Sequence, residues 1–317
     1  MKTIRVGVVG VGHLGYHHAR LYTSTPGVKF VGLTDLDPAR GKEVAAEFDT
    51  SYFQDLDALL DAGVDALSVA VPTVSHHDMV QQALSAGVDV LVEKPIASTL
   101  EEARSMIEAA SKAGKLLQVG HVERFNGAVL ALTEHIKKPR FIECHRLSPF
   151  AGRGDDVSVV LDLMIHDLDV ILALTKAKVT SIDAVGIPVF SKQEDIANVR
   201  IRFDSGCVAN LTASRISMER MRKIRIFEDN AYVSTDYSEQ EVILYHKKPG
   251  EIPEGKSPME WINIEPLEVS REEPLRLELS SFIECVRDRR RPVVSGEDGL
   301  RALELAFDIL EFIREHQ

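Results

Sequence analysis

Ile4-Arg5-Val6-Gly7-Val8-Val9-Gly10-Val11-Gly12-His13-Leu14-Gly15 is the stretch that decides the fold. A short, mostly apolar run leads into glycines spaced Gly-x-Gly-x-x-Gly, and a helical stretch then continues to Leu21. In a strand–turn–helix context each glycine has a mechanical role. The first permits a tight turn, the second lets the backbone approach a pyrophosphate, and the third allows close helix packing, while the helix N-terminus offers unpaired N–H donors. Glycine turns of this kind are common, so the match gains its weight from Asp35. It lies twenty residues after Gly15, at the end of the next apolar run, where a carboxylate can accept hydrogen bonds from an adenosine ribose. The same carboxylate repels a 2′-phosphate, and the nearest cation, Arg40, is five residues on, so NAD is expected rather than NADP. Asp35-Leu36-Asp37-Pro38 also fits the start of a helix, which makes turn chemistry the competing role for Asp35.

Working outward, apolar runs at 4–9, 30–34, 66–71, 88–92 and 116–119 alternate with amphipathic segments, the pattern of a doubly wound parallel sheet. The segment 99–112 has a capping-box start at Thr99 and Glu102 and a stop at Gly114. After Gly120 the pattern changes. A helix is expected over 123–135, a strand over 141–147, a loop containing Gly and Asp, and one long helix over 157–174. From 179 to 244 successive β segments alternate in polarity, with Asp204-Ser205-Gly206 as a hairpin turn, which predicts an open, mainly antiparallel sheet. The Pro- and Gly-containing stretch 249–266 reads as a surface loop, and helices close the chain near 274–289 and 299–315. The expectation is an α/β protein with a nucleotide-binding domain over 1–121 and an α+β domain over 122–317, consistent with 317 residues exceeding one domain of ~100–200.

With 37 basic and 49 acidic residues the formal charge is −12, which disfavours nucleic-acid and anionic-membrane surfaces. Cys144, Cys207 and Cys285 are odd in number and far apart, matching neither a disulfide framework nor a zinc site, and fitting the cytoplasm. No signal sequence or run of ~18 apolar residues is visible.

Lys94, in Glu93-Lys94-Pro95, falls at the carboxyl end of a predicted parallel strand, where open α/β sheets bind ligands. A partly desolvated lysine can exchange a proton with a substrate hydroxyl; the competing role is an exposed loop lysine. The helix 157–174 is apolar on nearly every side yet carries Asp162, His166 and Asp169 on one stripe, with Asp167 pointing elsewhere. Buried polar groups need a partner or a job, and a carboxylate-held histidine can act as acid or base. A satisfied core hydrogen bond is the alternative. No third ligand stands at metal-binding spacing, so no metal site is expected.

Gly10-Val11-Gly12-His13-Leu14-Gly15, Val71-Pro72-Thr73 with His76, Glu93-Lys94-Pro95, Gly120-His121 with Arg124-Phe125, and Asp162-x-x-x-His166-Asp167-x-Asp169 together resemble the Gfo/Idh/MocA oxidoreductases along essentially the whole chain. The resemblance implies a Rossmann domain, a cofactor held by Gly10, Gly12, His13, Leu14, Gly15 and Asp35, and further lining by Pro72, Thr73, His76, Glu93 and Lys94. It also implies Lys94 and His166 as the proton-handling pair, Asp162 positioning them and contacting substrate, and dimers or tetramers formed through the antiparallel sheet. Many members have glycine midway between that Asp and His; here Met164 stands there, which bears on pocket shape. Arg146, Arg153, Arg215, Arg220 and Arg222 cluster against an acidic background and suit a phosphorylated or nucleotide-linked sugar, with solvated surface arginine as the alternative. Arg124 and Arg146 are the expected substrate contacts. The segments 120–126 and 145–150 are more loosely similar to members that oxidise the 3-hydroxyl of UDP-N-acetylglucosamine-type sugars. An inositol or free-hexose dehydrogenase is the runner-up, and a non-catalytic NAD-binding regulator is the reading from another class.

Overall fold

The computed structural model describes residues 3–150, 156–252, 254–255 and 257–316. Two compact units divide it: Met1–Val122 with Glu273–Leu303, and Glu123–Glu272 with Glu304–Gln317.

In the first unit the chain runs β1 (Ile4–Val9), α1 (His13–Tyr22), β2 (Val28–Thr34), α2 (Pro38–Glu47), β3 (Ser51–Tyr52), α3 (Leu56–Asp61), β4 (Ala66–Val69), α4 (His76–Ser85), β5 (Asp89–Glu93), α5 (Leu100–Ala113) and β6 (Leu117–Gly120). The strands form a parallel sheet in the order β3-β2-β1-β4-β5-β6, as the alternating pattern predicted. Every residue of β4, β5 and β6 is buried, which is why their apolar runs are continuous rather than alternating. The two-residue edge strand β3 is too short to leave a period in the sequence. The capping box forms as expected: Glu102 N–H donates to Thr99 Oγ1 at 3.1 Å, the Glu102 carboxylate accepts from Thr99 N–H at 3.3 Å, and Gly114 ends the helix in the left-handed region. The sheet order reverses between β1 and β4, the switch point where such sheets bind ligands.

The second unit contains α6 (Gly127–His135), β7 (Phe141–Leu147), α7 (Ile165–Thr175), β8 (Val179–Ile187), β9 (Ile196–Phe203), β10 (Val208–Ser214), β11 (Met221–Phe227), β12 (Ala231–Asp236), β13 (Glu241–Lys247) and β14 (Ile262–Pro266). They make an eight-stranded sheet ordered β14-β13-β12-β11-β7-β10-β9-β8, antiparallel except where β10 runs parallel to β7. Burial alternates along β9, so one face is covered and the other open.

Three expectations are corrected. The end of the chain does not belong wholly to the second unit: α8 (Pro274–Asp288) returns to the first, and the division falls within α9 (Gly296–His316). Leu279, Phe282, Ile283 and Val286 on α8 recur at helical spacing and join a core with Ile4, Val6, Val8, Leu21 and Tyr22. The stretch 249–266 is not all loop, since its last five residues pair with β13 as the edge strand β14. The predicted helix 157–174 is broken into a π-helical turn, Val160–Met164, followed by α7. The expected loop ahead of it lies largely outside the described residues.

Candidate active site

In the first unit, Gly10, Asp35, Val71, Lys94 and His121 all follow the carboxyl ends of parallel strands. Each glycine of the turn has a separate reason. Gly10 has φ +80°, and a Cβ there would sit 2.8 Å from the Ala70 carbonyl oxygen; a Cβ on Gly15 would fall 1.8 Å from the Gly10 carbonyl oxygen. A Cβ on Gly12 would meet nothing within 4 Å, so that glycine answers to open space rather than to a neighbour. Gly12 caps α1 without any side-chain hydrogen bond, leaving the helix N-terminus to accept an anion. His13 and Leu14 are exposed beside it.

Asp35 fills the turn role expected of it, and its carboxylate also borders a cavity. Val11 N–H donates to Oδ2 at 2.6 Å and Asp37 N–H to Oδ1 at 2.8 Å, tying the glycine turn to β2 and starting the next turn. Asp37, not Asp35, caps α2, accepting from Ala39 N–H at 2.9 Å with Pro38 in the first helical position. A cavity of about 330 Å³ is lined by Gly10, Thr34, Asp35, Asp55, Asp57 and Val71, among others. Its size suits part of a dinucleotide, and its three carboxylates suit hydroxyl groups better than a phosphate. Arg40 is turned away from free cationic duty: its Nε–H donates to Val11 O at 3.3 Å, Nη1 pairs with Glu43 at 2.8 Å, and the guanidinium lies over Tyr16. Glycine cradle, bare helix end and the Asp35 carboxylate together fit an NAD-type cofactor.

The Glu93-Lys94-Pro95 turn leaves β5 with Lys94 half-buried. Glu93 and His76, expected to line the cofactor, turn inward instead. Glu93 Oε1 accepts from His18 Nε2–H at 3.0 Å, and Lys94 N–H donates to Glu93 Oε2 at 3.3 Å. Burial by itself would raise the Glu93 pKa, but the hydrogen bond from His18, with the charge of Lys94, outweighs it and holds the carboxyl below its ordinary range. The His76 ring is 1% exposed and lies between main-chain carbonyls, which leaves no edge for a ligand. Pro72 is exposed and Thr73 half-buried at the turn that precedes α4.

In the second unit, four polar residues of the 160–175 segment separate into two kinds. Asp167 and Asp169 are buried and paired with arginines. Arg146 donates from Nε and Nη2 to the two Asp167 oxygens at 2.8 and 2.9 Å, and from Nη1 to Glu123 at 3.0 Å. Arg124 Nη1 donates to Asp169 at 3.3 Å. Asp162 and His166 are partly accessible. The π turn puts Asp162 on a wider helical step than the even 3.6-residue stripe the spacing predicted, and such turns concentrate at functional sites.

Arg146 is therefore a correction. Burial would lower its pKa, but the charges of Asp167 and Glu123 prevail and hold the guanidinium protonated, so it braces α7 from within rather than facing a substrate phosphate. Arg124 also spends a guanidinium nitrogen on an internal carboxylate. Arg215 pairs with Asp195 at 2.8 Å, Arg220 and Arg222 are exposed, and Arg153 lies outside the described residues.

The chain matches the family described as "Oxidoreductase family, NAD-binding Rossmann fold" over residues 4–121 and the GFO/IDH/MocA C-terminal domain over residues 127–234. It belongs to the Gfo/Idh/MocA oxidoreductases. It is 36% identical over 310 residues to a UDP-N-acetylglucosamine 3-dehydrogenase of Acidithiobacillus ferrooxidans, covering 98% of this chain and 97% of that protein. It is 30% identical over 323 residues to scyllo-inositol 2-dehydrogenase (NAD(+)) of Bacillus subtilis, covering 95% and 92%. A solved structure of the Acidithiobacillus protein superposes with a TM-score of 0.92 at 35% identity, covering 99% of each chain. As a member of this family the chain is an NAD(P)-dependent dehydrogenase acting on CH–OH groups. Among the described residues no helix is long and apolar enough to cross a membrane.

His18 is the residue the sequence reading missed. The signal was present, because Gly15, His18, Ala19 and Tyr22 recur at helical spacing on the buried face of α1, and a histidine on that face requires a partner.

Proposed function

We propose that this enzyme oxidises the 3-hydroxyl of a UDP-N-acetylglucosamine-type sugar with NAD as the hydride acceptor. The observation that carries the chemistry is the division of labour on the 160–175 segment: two carboxylates are sequestered by arginines, while Asp162 and His166 keep accessible surface. Lys94 Nζ and the His166 imidazole each carry a nitrogen able to take up the hydroxyl proton, and Asp162 supplies a carboxylate to orient substrate and base. NAD held at the glycine turn and Asp35 would supply the hydride acceptor for the carbon that bears this hydroxyl. The reading of NAD rather than NADP is supported by Asp35, by Asp55 and Asp57 in the same cavity and by Arg40 being held on Glu43 and Tyr16.

The choice of sugar is supported by the 36% identical relative over nearly the full length of both chains. With Arg146 and Arg215 paired internally, Arg220 and Arg222 are the described arginines of that cluster available for a diphosphate; neither is ion-paired to a described carboxylate. Homo-oligomers would form through the open face of the eight-stranded sheet, which light scattering after size exclusion checks.

A panel of UDP-N-acetylglucosamine, N-acetylglucosamine 1-phosphate, free N-acetylglucosamine and myo-inositol, each with NAD and with NADP, tests the assignment. The UDP sugar with NAD should give the highest kcat/KM. NADH formation from inositol but not from the UDP sugar would replace it with the inositol activity, in line with the 30% identical relative.

A further inference from the structure

Two buried histidines grip opposite ends of the turn that carries Lys94. His18 reaches from α1, the helix that begins at the glycine turn, and its Nε2 lies 3.0 Å from Glu93 Oε1. Its Nδ1 is buried without a hydrogen-bond partner among the described residues, so the tautomer with hydrogen on Nε2 is favoured: a bare lone pair costs less there than an orphaned N–H. The Glu93 carboxylate then receives Lys94 N–H at 3.3 Å through its other oxygen. Space for that carboxylate is provided by Gly120, where a Cβ would come within 2.9 Å of Oε1. On the far side of the lysine, His76 at the start of α4 places Nδ1 3.0 Å from Pro95 O and 3.3 Å from Ile96 O, with Nε2 3.0 Å from Val71 O. Burial lowers the His76 pKa against the pull of these carbonyls, so the ring is neutral and donates from one nitrogen at a time. The Nδ1 side faces two carbonyls of the lysine turn, and a hydrogen there secures the residues that follow Lys94.

We propose that His18 and His76 are positioning residues for Lys94, fixing the turn from the Glu93 side chain on one flank and the Pro95 and Ile96 carbonyls on the other. Neither histidine is a catalytic residue. His18 also makes a continuous hydrogen-bonded path from the helix at the glycine turn to the lysine turn, so the element proposed to receive a pyrophosphate also sets where Lys94 Nζ stands. The proposal rests on Lys94 handling the proton.

The test compares His18→Leu with His18→Gln, and His76→Leu with His76→Asn and His76→Gln, in the intact protein. Gln can place an amide N–H near the Nε2 position, whereas Asn places one near Nδ1. The leucine variants should lower kcat with UDP-N-acetylglucosamine and NAD about 10- to 100-fold while KM for NAD moves less than about threefold, a span within what a proton-transfer group contributes. His18→Gln and His76→Asn should recover most of the loss, and His76→Gln should not. Reductive methylation of Lys94, followed by peptide mass spectrometry against Lys112 as an internal reference, reads the lysine without turnover; its rate should change in the leucine variants and return in the rescuing ones. Folded leucine variants with unchanged kcat and Lys94 reactivity would overturn the proposal, as would a loss borne wholly by KM for NAD. Should the leucine variants fail to fold, equal kcat in His76→Asn and His76→Gln would overturn it. Lys94→Met serves as the control: residual full turnover there removes the role of Lys94 itself, whereas an inactive Lys94→Met beside unaffected histidine variants removes only the positioning role.

Discussion

At the scale of single residues, Asp35 holds the glycine turn to β2 through Val11 N–H and still presents its carboxylate to the cavity, so the proposed ribose contact and the architecture share one side chain. Replacing it with serine should lower the preference for NAD over NADP by about tenfold, an energy of about 1.4 kcal/mol, read as the ratio of kcat/KM values. Asp195 gives a purely structural case. Burial would raise its carboxyl, but N–H groups of Ser191, Phe190 and Val189 and the Arg215 guanidinium together hold it far below the ordinary value of 3.8. A carboxyl depressed in the folded state stabilises above its unfolded pKa and loses that contribution as pH falls through 3.8 and below. Asp195→Asn should therefore reduce stability at neutral pH and flatten the acid limb of a plot of Tm against pH. An unchanged acid limb would contradict the assignment.

The elements show where the sequence was legible and where it was not. Strands buried on both faces announced the parallel sheet, and Thr99, Glu102 and Gly114 marked both ends of α5 as predicted. The glycine turn was equally readable, because each glycine meets a distinct constraint. Gly12→Ala should leave Tm nearly unchanged and weaken NAD binding, since its Cβ enters open space beside the uncapped end of α1. Gly15→Ala should destabilise the fold by at least about 1–3 kcal/mol, because its Cβ strikes the Gly10 carbonyl. Thermal melts with isothermal titration separate the two outcomes. The π turn at Val160–Met164 was hidden, as an apolar sequence has the same composition whether its hydrogen bonds close at four residues or five. Partner choice was hidden too. Asp162, Asp167 and Asp169 are alike in a sequence, and the reach of Arg146 from β7 to α7 and the turn holding Arg124 divide them into braces and accessible groups.

For the whole molecule, the boundary after residue 121 lies within one residue of the observed division at Val122, whereas the return of α8 to the first unit is concealed by sequence order. The apolar face of α8 completes that unit's core. Phe282→Ala should thus destabilise the nucleotide-binding unit by about 3–5 kcal/mol, visible as a lowered Tm that added NAD partly restores. The family acts on CH–OH groups, the proposed roles of the glycine cradle and the lysine turn fit that chemistry, and the two relatives named differ in substrate, one a UDP sugar and the other an inositol. UDP-N-acetylglucosamine carrying deuterium at C3 addresses this directly. Mass spectrometry of the reduced nicotinamide should find one deuterium per turnover; unlabelled NADH, or no NADH while myo-inositol is oxidised, would contradict oxidation at C3.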